Sequence, residues 1–283
     1  GRFARELIAA MAERSPADEF VLFVDDRAAA AWMGTTANAR LALVPQRVSP
    51  TVAAAADSSR SPGDMLRFTR AVWRARLDVF FSPSVYTYFP LPPRLAAVLT
   101  LHAAIAERFP EMAPPSRRAR LFWNLKTRLA LMQARLVLTV SEFAASEIIA
   151  VHGLSRDRIR VASEAPSSIY KPSECAADIE AVARKYGVRD GERWFVYVGG
   201  FNPHKHVDMI VRAHAAAIRG AEHPPRLLLV GTRDSDVFHG DSPRITDAIR
   251  QCGTTELVHW TGFIPDDELR HILSGAIALL LPS

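Results

Sequence analysis

The feature that most constrains this chain is a repeated alternation. A short β-branched or aromatic run ends at a glycine, and a stripe of apolar residues at helical spacing follows. Trp194–Val198 (WFVYV) ends at Gly199-Gly200; then Val207, Ile210, Val211, His214, Ala217 and Ile218 share one helical face. Leu227–Val230 ends at Gly231, and the short helix after it carries Ile245, Ile249 and Cys252. Val258–Thr261 ends at Gly262. Pro265-Asp266-Asp267-Glu268 then opens a helix, with proline in the first turn and acids at the positive end of its dipole. Ile277–Leu281 reads as a fourth strand, stopped by Pro282. Strands that alternate with helices through short loops bury their apolar sides best as a parallel sheet covered on both faces.

The first half follows the same plan. Helix Arg2–Glu13 sets Phe3, Leu7 and Met11 on one side, and strands are predicted at Phe20–Val24, Leu41–Val44, Val79–Phe81, Ala97–Leu101 and Leu136–Val140. Two further helices are predicted to turn apolar stripes inward: Asp64–Arg76 through Met65, Phe68, Val72 and Trp73, and Ser116–Ala134 through Leu121, Leu125, Leu129 and Met132. Ser141 has the character of a helix cap. Pro45–Pro62 and His102–Pro115 read as long irregular loops, which in α/β domains tend to serve function. Ser163–Asp178, rich in Ser, Pro and Ala, reads as a linker. The expectation is α/β: two Rossmann-like, doubly wound domains, residues 1–170 and 171–283, facing across a cleft at the carboxyl ends of their strands. The first domain opens on a helix, so its first strand is expected to be missing; the second stops on a strand, so it is expected to be incomplete.

Charge is unevenly spread. Residues 1–170 hold 22 Lys and Arg against 15 Asp and Glu, a balance of +7, whereas 171–283 hold 13 against 15. A basic first half fits an anionic partner, although an arginine-rich composition gives the same asymmetry. The two cysteines, Cys175 and Cys252, are far apart with no CxxC pair, which excludes a disulfide framework and fits a reducing cytoplasm. The longest apolar stretch, Leu95–Ala106, is about half the roughly 20 residues that span a bilayer. Helix Ser116–Ala134 sets Arg117, Arg118, Arg120, Lys126 and Arg128 around Phe122 and Trp123, a pattern that suits peripheral contact with a membrane surface. An ordinary solvated face on a core helix is the simpler reading. No nucleic-acid motif is present.

The segment Tyr197–Lys205 (YVGGFNPHK) carries the chemistry. Gly199 and Gly200 after a buried strand let backbone approach a ligand closely, and Lys205 adds positive charge just before a helix N-terminus, where anions are already favoured. Together they suit a diphosphate; a strand-to-helix turn with a surface lysine is the alternative. Neither GxGxxG nor GxxxxGK[ST] occurs. His102 follows Ala97–Leu101 at the sheet's ligand-facing edge, where it can orient a hydroxyl or be satisfied by loop backbone. His204 and His206 lack acidic or cysteine partners at metal spacing, so no metal site is expected.

These residues, in this order, resemble the group 1 (family 4) retaining glycosyltransferases of GT-B fold. Gly1–Leu7 is similar to the end of the family's glycine-rich loop and its first helix, Leu99–His102 to its histidine-ended strand, and Leu138–Phe143 to its "TVSEF" signature. Tyr197–Lys205 resembles the donor diphosphate loop, Thr261–Leu269 the "TGFVPDEEL" segment, and Leu279–Ser283 the strand before the acidic donor motif. The resemblance implies transfer of a sugar from a nucleoside-diphosphate sugar to a glycan or lipid-linked acceptor hydroxyl, with retention and without a metal cofactor. By position, Lys205 holds the diphosphate and Gly199 and Gly200 give it room. His102 lies near the transferred sugar, backbone at Phe263 and Ile264 faces the base, and Gly1 and Arg2 belong to the acceptor-side loop. Two positions depart from the pattern: Gly200 stands where many members have arginine, and Ala103 where many have an acid. The paired-glutamate motif belongs after Ser283, so residues 1–283 alone are expected to show little turnover. A nucleotide-sugar epimerase and a non-catalytic nucleotide-sugar or glycan binder are the alternatives.

Overall fold

A computed structural model describes residues 2–25, 37–47, 61–85, 88–109, 117–233 and 240–282. The chain divides into two compact units, Gly1–Ala165 and Pro166–Ser283.

The first unit contains β1 (Phe20–Val24), β2 (Ala39–Leu43), β3 (Val79–Ser82), β4 (Ala96–Thr100), β5 (Leu136–Thr139) and β6 (Ile159–Val161). β1 and β2 form one parallel pair, and β3-β4-β5-β6 a four-stranded parallel sheet. Its helices are α1 (Arg2–Arg14), α2 (Pro62–Ala75), α3 (Ile105–Arg108), α4 (Arg117–Gln133) and α5 (Glu142–His152). Ser61 caps α2 by accepting from Asp64 N at 3.1 Å, and Ser141 caps α5 by accepting from Ala144 N at 3.1 Å. The core of the four-stranded sheet gathers Leu99, Val137, Ile148 and Ile159 with Trp123 and Leu131 of α4. A second cluster joins Val44, Phe68, Val72 and Phe89, with Phe23 and Phe80 packed against it.

The second unit holds β7 (Trp194–Val198), β8 (Arg226–Val230) and β9 (Val258–Gly262), all parallel in that order. Its helices are α6 (Ala176–Lys185), α7 (Val207–Ala217), α8 (Ser242–Gln251) and α9 (Asp266–Gly275). Every residue of β8 is buried. Leu227 and Leu229 join the cluster of Val211, Ile245 and Ile249, whereas Leu228 and Val230 join that of Ala183, Leu269 and Ile272. Side chains alternate along a strand, so this division shows the sheet covered on both faces.

Several sequence expectations need correction. Ile277–Leu281 runs parallel beside β7 but forms only the short bridge Leu279 to Val196: Ile277 N donates to Trp194 O at 2.8 Å, Val196 N to Ala278 O at 3.1 Å and Leu280 N to Val196 O at 2.8 Å. β6 and α3 were not expected, and α6 begins inside the expected linker. The helix stripes are rotated as well. α2 buries Phe68 and Val72 but leaves Trp73 71% exposed, and Met11 of α1 lies at the surface. In α4 the buried residues are Ala119, Trp123, Thr127, Ala130 and Leu131; the expected core residues Leu121, Leu125 and Met132 are exposed. Loop residues 48–60 and 110–116 lie outside the described residues.

Candidate functional site

The site is built where β7 and β8 end. Gly199 (φ 155°) and Gly231 (φ 150°) lie side by side: a Cβ on Gly231 would come within 2.2 Å of the Gly199 carbonyl oxygen. Gly199 N donates to Val230 O at 3.0 Å, which joins the two strand ends. The amide of Gly199 is therefore engaged. Those of Gly200 and Phe201 have no acceptor among the described residues. The turn is held from behind. Tyr197 Oη donates to Gly200 O at 2.5 Å, Asp241 N donates to Phe201 O at 2.6 Å, and the Phe201 ring is buried against Trp260 with centroids 4.7 Å apart.

Lys205 closes the 3₁₀ turn Pro203–Lys205 that leads into α7. It is half-buried, and its ammonium has no partner among the described residues. His206, between that turn and α7, takes the left-handed conformation at φ 47°. Beneath it, buried Asp208 pairs with Arg244 at 2.8 Å, and Arg244 also reaches Asp241 at 3.4 Å. Burial holds the Asp241 carboxyl above the usual carboxylate range, against the pull of Arg244.

Arg233 is a residue that the sequence reading missed. It follows Gly231 at the end of β8, with its guanidinium 4.4 Å over the Trp260 ring and Nη2 3.4 Å from Thr246 Oγ1. It has no carboxylate partner among the described residues. The available signal was the repeated pattern itself: a glycine-ended buried strand with a cation shortly after it, as at Lys205. Phe263 and Ile264 follow β9. Phe263 is 69% exposed, while the Ile264 side chain is in the core, leaving only its backbone free to serve a ligand.

In the first unit, His102 directly follows β4. Its ring packs edge-on against Phe3 of α1 (4.7 Å, 83°), with Nδ1 3.5 Å from Glu164 Oε1 and Nε2 3.3 Å from Pro83 O. These contacts reach the ring from residues distant in sequence, Glu164 supplying a carboxylate beside Nδ1. The loop after His102 is anchored through α3: Trp123 Nε1 donates to Glu107 at 2.7 Å, and Arg108 pairs with Glu147 at 3.0 Å. Gly1 lies outside the described residues; Arg2 opens α1, and its side chain lies outside them too. No group of three metal-ligating side chains occurs among the described residues. Nor is any helix among them long and apolar enough to cross a membrane.

Comparison with known proteins shows the family. Residues 1–164 match the family model described as Glycosyltransferase Family 4, and residues 178–283 the model described as Glycosyl transferases group 1. The chain belongs to this glycosyltransferase family. It is 29% identical over 210 residues to O-antigen chain mannosyltransferase B of Escherichia coli, covering 72% of this chain and 51% of that protein. It is 25% identical over 202 residues to 2-deoxystreptamine glucosyltransferase of Streptomyces kanamyceticus, covering 69% and 49%. The chain thus spans about half the length of these relatives. Among solved structures, WaaG, a glycosyltransferase involved in lipopolysaccharide biosynthesis, aligns with a TM-score of 0.64 at 15% identity, over 88% of this chain and 64% of WaaG. Anabaena HepE in complex with UDP and glucose aligns at 0.59 and 15%, over 93% and 66%. These likenesses identify the fold as GT-B.

Proposed function

We propose that the protein transfers a hexose from a nucleoside-diphosphate sugar to an acceptor hydroxyl on a glycan or lipid-linked saccharide, with retention of anomeric configuration. The carrying observation is the segment after β7, where within six residues the amides of Gly200 and Phe201 and the ammonium of Lys205 all lack a partner among the described residues. Fixed donors of this kind stabilise the charge that develops on a departing diphosphate, because they are already oriented when the bond breaks. Arg233, at the end of the next strand, supplies a second cation where Gly200 offers none. In this reading the charge that a metal ion would supply comes from these side chains and amides. His102, held by Glu164, Pro83 and Phe3, orients a hydroxyl of the transferred sugar.

The named relatives support a sugar donor but differ in the sugar, one a mannosyltransferase and the other a glucosyltransferase. A thermal-shift series with UDP, GDP and their hexose conjugates tests the reading. At least one diphosphate raises the melting temperature, since a ligand that binds only the folded state stabilises it. Failure of every nucleoside diphosphate to do so contradicts the reading. Nucleotide release that depends on added acceptor separates transfer from epimerisation.

A further inference from the structure

From the turn after β7 we infer that Tyr197 is a positioning residue for the diphosphate: its hydroxyl sets the Gly200–Phe201 peptide so that the Phe201 amide is held ready for a phosphate oxygen. The inference rests on the donor reading above and deepens it. Tyr197 is buried, and its ring folds back beneath its own turn. Its Oη donates to Gly200 O at 2.5 Å and lies 2.9 Å from where a Cβ on Gly199 would be. A side chain at position 199 would push the hydroxyl out of place.

One hydrogen bond decides which way this peptide faces. No peptide bond among the described residues is cis, and in a trans peptide the carbonyl and the N–H point in opposite directions. With Gly200 O turned to the buried Tyr197 hydroxyl, the N–H of Phe201 is turned away from it. The next peptide is pinned in the same manner by Asp241 N, which donates to Phe201 O at 2.6 Å. The Phe201 ring packs against Trp260 and Tyr197, with centroids 4.7 and 5.9 Å away. Phe201 is only 1% exposed, yet its amide has no acceptor among the described residues. Buried amides nearly always have a partner, so one held open marks the place of a ligand acceptor. A backbone donor fixed in this way meets an anionic oxygen without reorganising. Phenylalanine at position 197 would keep the ring packing and lose the hold on Gly200 O.

Calorimetric titration of UDP, GDP, uridine and guanosine into the wild type and Tyr197→Phe tests it. Tyr197→Phe is expected to weaken diphosphate binding about two- to tenfold, the worth of one neutral hydrogen bond, and to leave nucleoside binding unchanged. A second readout needs no change at the tyrosine. The chain's Gly-Phe pairs are Gly200-Phe201 and Gly262-Phe263, so carbonyl carbon-13 in glycine with nitrogen-15 in phenylalanine gives only their correlations. Phe263→Leu shows which signal is which. The Phe201 amide proton is expected to move downfield when UDP or GDP binds, and to stay in place with the matching nucleoside. Equal diphosphate affinity in wild type and Tyr197→Phe overturns the inference. An equal loss for diphosphate and nucleoside overturns it too, because a tyrosine with a structural role alone gives that result. So does a Phe201 signal that stays still under saturating diphosphate. Failure of the wild type to bind either diphosphate overturns the donor reading, and this inference with it.

Discussion

Gly231 is the residue on which the turn after β7 most depends. Its φ of 150° is strained for any L side chain, and a methyl group would strike the Gly199 carbonyl oxygen. Because the neighbour is backbone tied into the sheet, it cannot swing aside. Gly231→Ala is expected to cost about 2–4 kcal/mol through strain and overpacking. Urea denaturation would show it as a lower midpoint at unchanged slope. Arg76 is the opposite case. It ends α2 in the left-handed region (φ 50°) with its side chain in solvent. Arg76→Gly removes a left-handed penalty of about 1–2 kcal/mol and adds a chain-entropy cost of about 0.5–1. The same measurement should show a small net gain in stability.

At the scale of elements, α5 and α7 carry separable tests. Ser141 satisfies the Ala144 amide at the start of α5, so Ser141→Ala is expected to cost about 1 kcal/mol by the same denaturation assay. In α7, His214 is buried, with Nε2 2.9 Å from Pro225 O and Nδ1 without a partner. Burial holds its pKa below the usual 6.5, as it does for His259 and for His152, although Glu107 pulls His152 upward. The unfolded chain therefore binds protons near pH 6.5 that the folded chain refuses. Stability is fully present above that pH and falls as pH drops below it. Thermal melts from pH 8 to 5 should show this decline, and His214→Phe should flatten it.

The elements also show what the sequence could and could not disclose. The turns at Gly199, Gly231 and Gly262 were legible because a buried apolar run that stops at glycine admits few alternatives. The orientation of α4 was not, because apolar residues occupy both of its sides. Choosing between the Leu121–Met132 and the Trp123–Leu131 faces required knowing how closely the helix approaches its sheet. Ile277–Leu281 has strand composition and hydrogen-bonds to β7 through Ile277, Ala278 and Leu280, but its ladder is short and pairs on one side only among the described residues. Arg233 carried only the faint signal of a cation after a glycine-ended strand; its stacking on Trp260 and the Gly199–Gly231 contact beside it are made across strands and are not legible in the sequence.

On the scale of the whole molecule, the two family models and the parallel sheets of both units agree with the α/β reading made from strand and helix alternation. The proposed chemistry then rests on a single grip, the amides of Gly200 and Phe201 with the ammonium of Lys205 on a diphosphate. Isothermal titration with a nucleoside, its monophosphate and its diphosphate isolates that grip. The account predicts that affinity rises with the diphosphate and that Lys205→Ala weakens diphosphate binding by roughly 10–100-fold, the worth of a charge-assisted hydrogen bond. Nucleoside binding should stay unchanged in the variant. Equal affinities of wild type and Lys205→Ala for the diphosphate would contradict it.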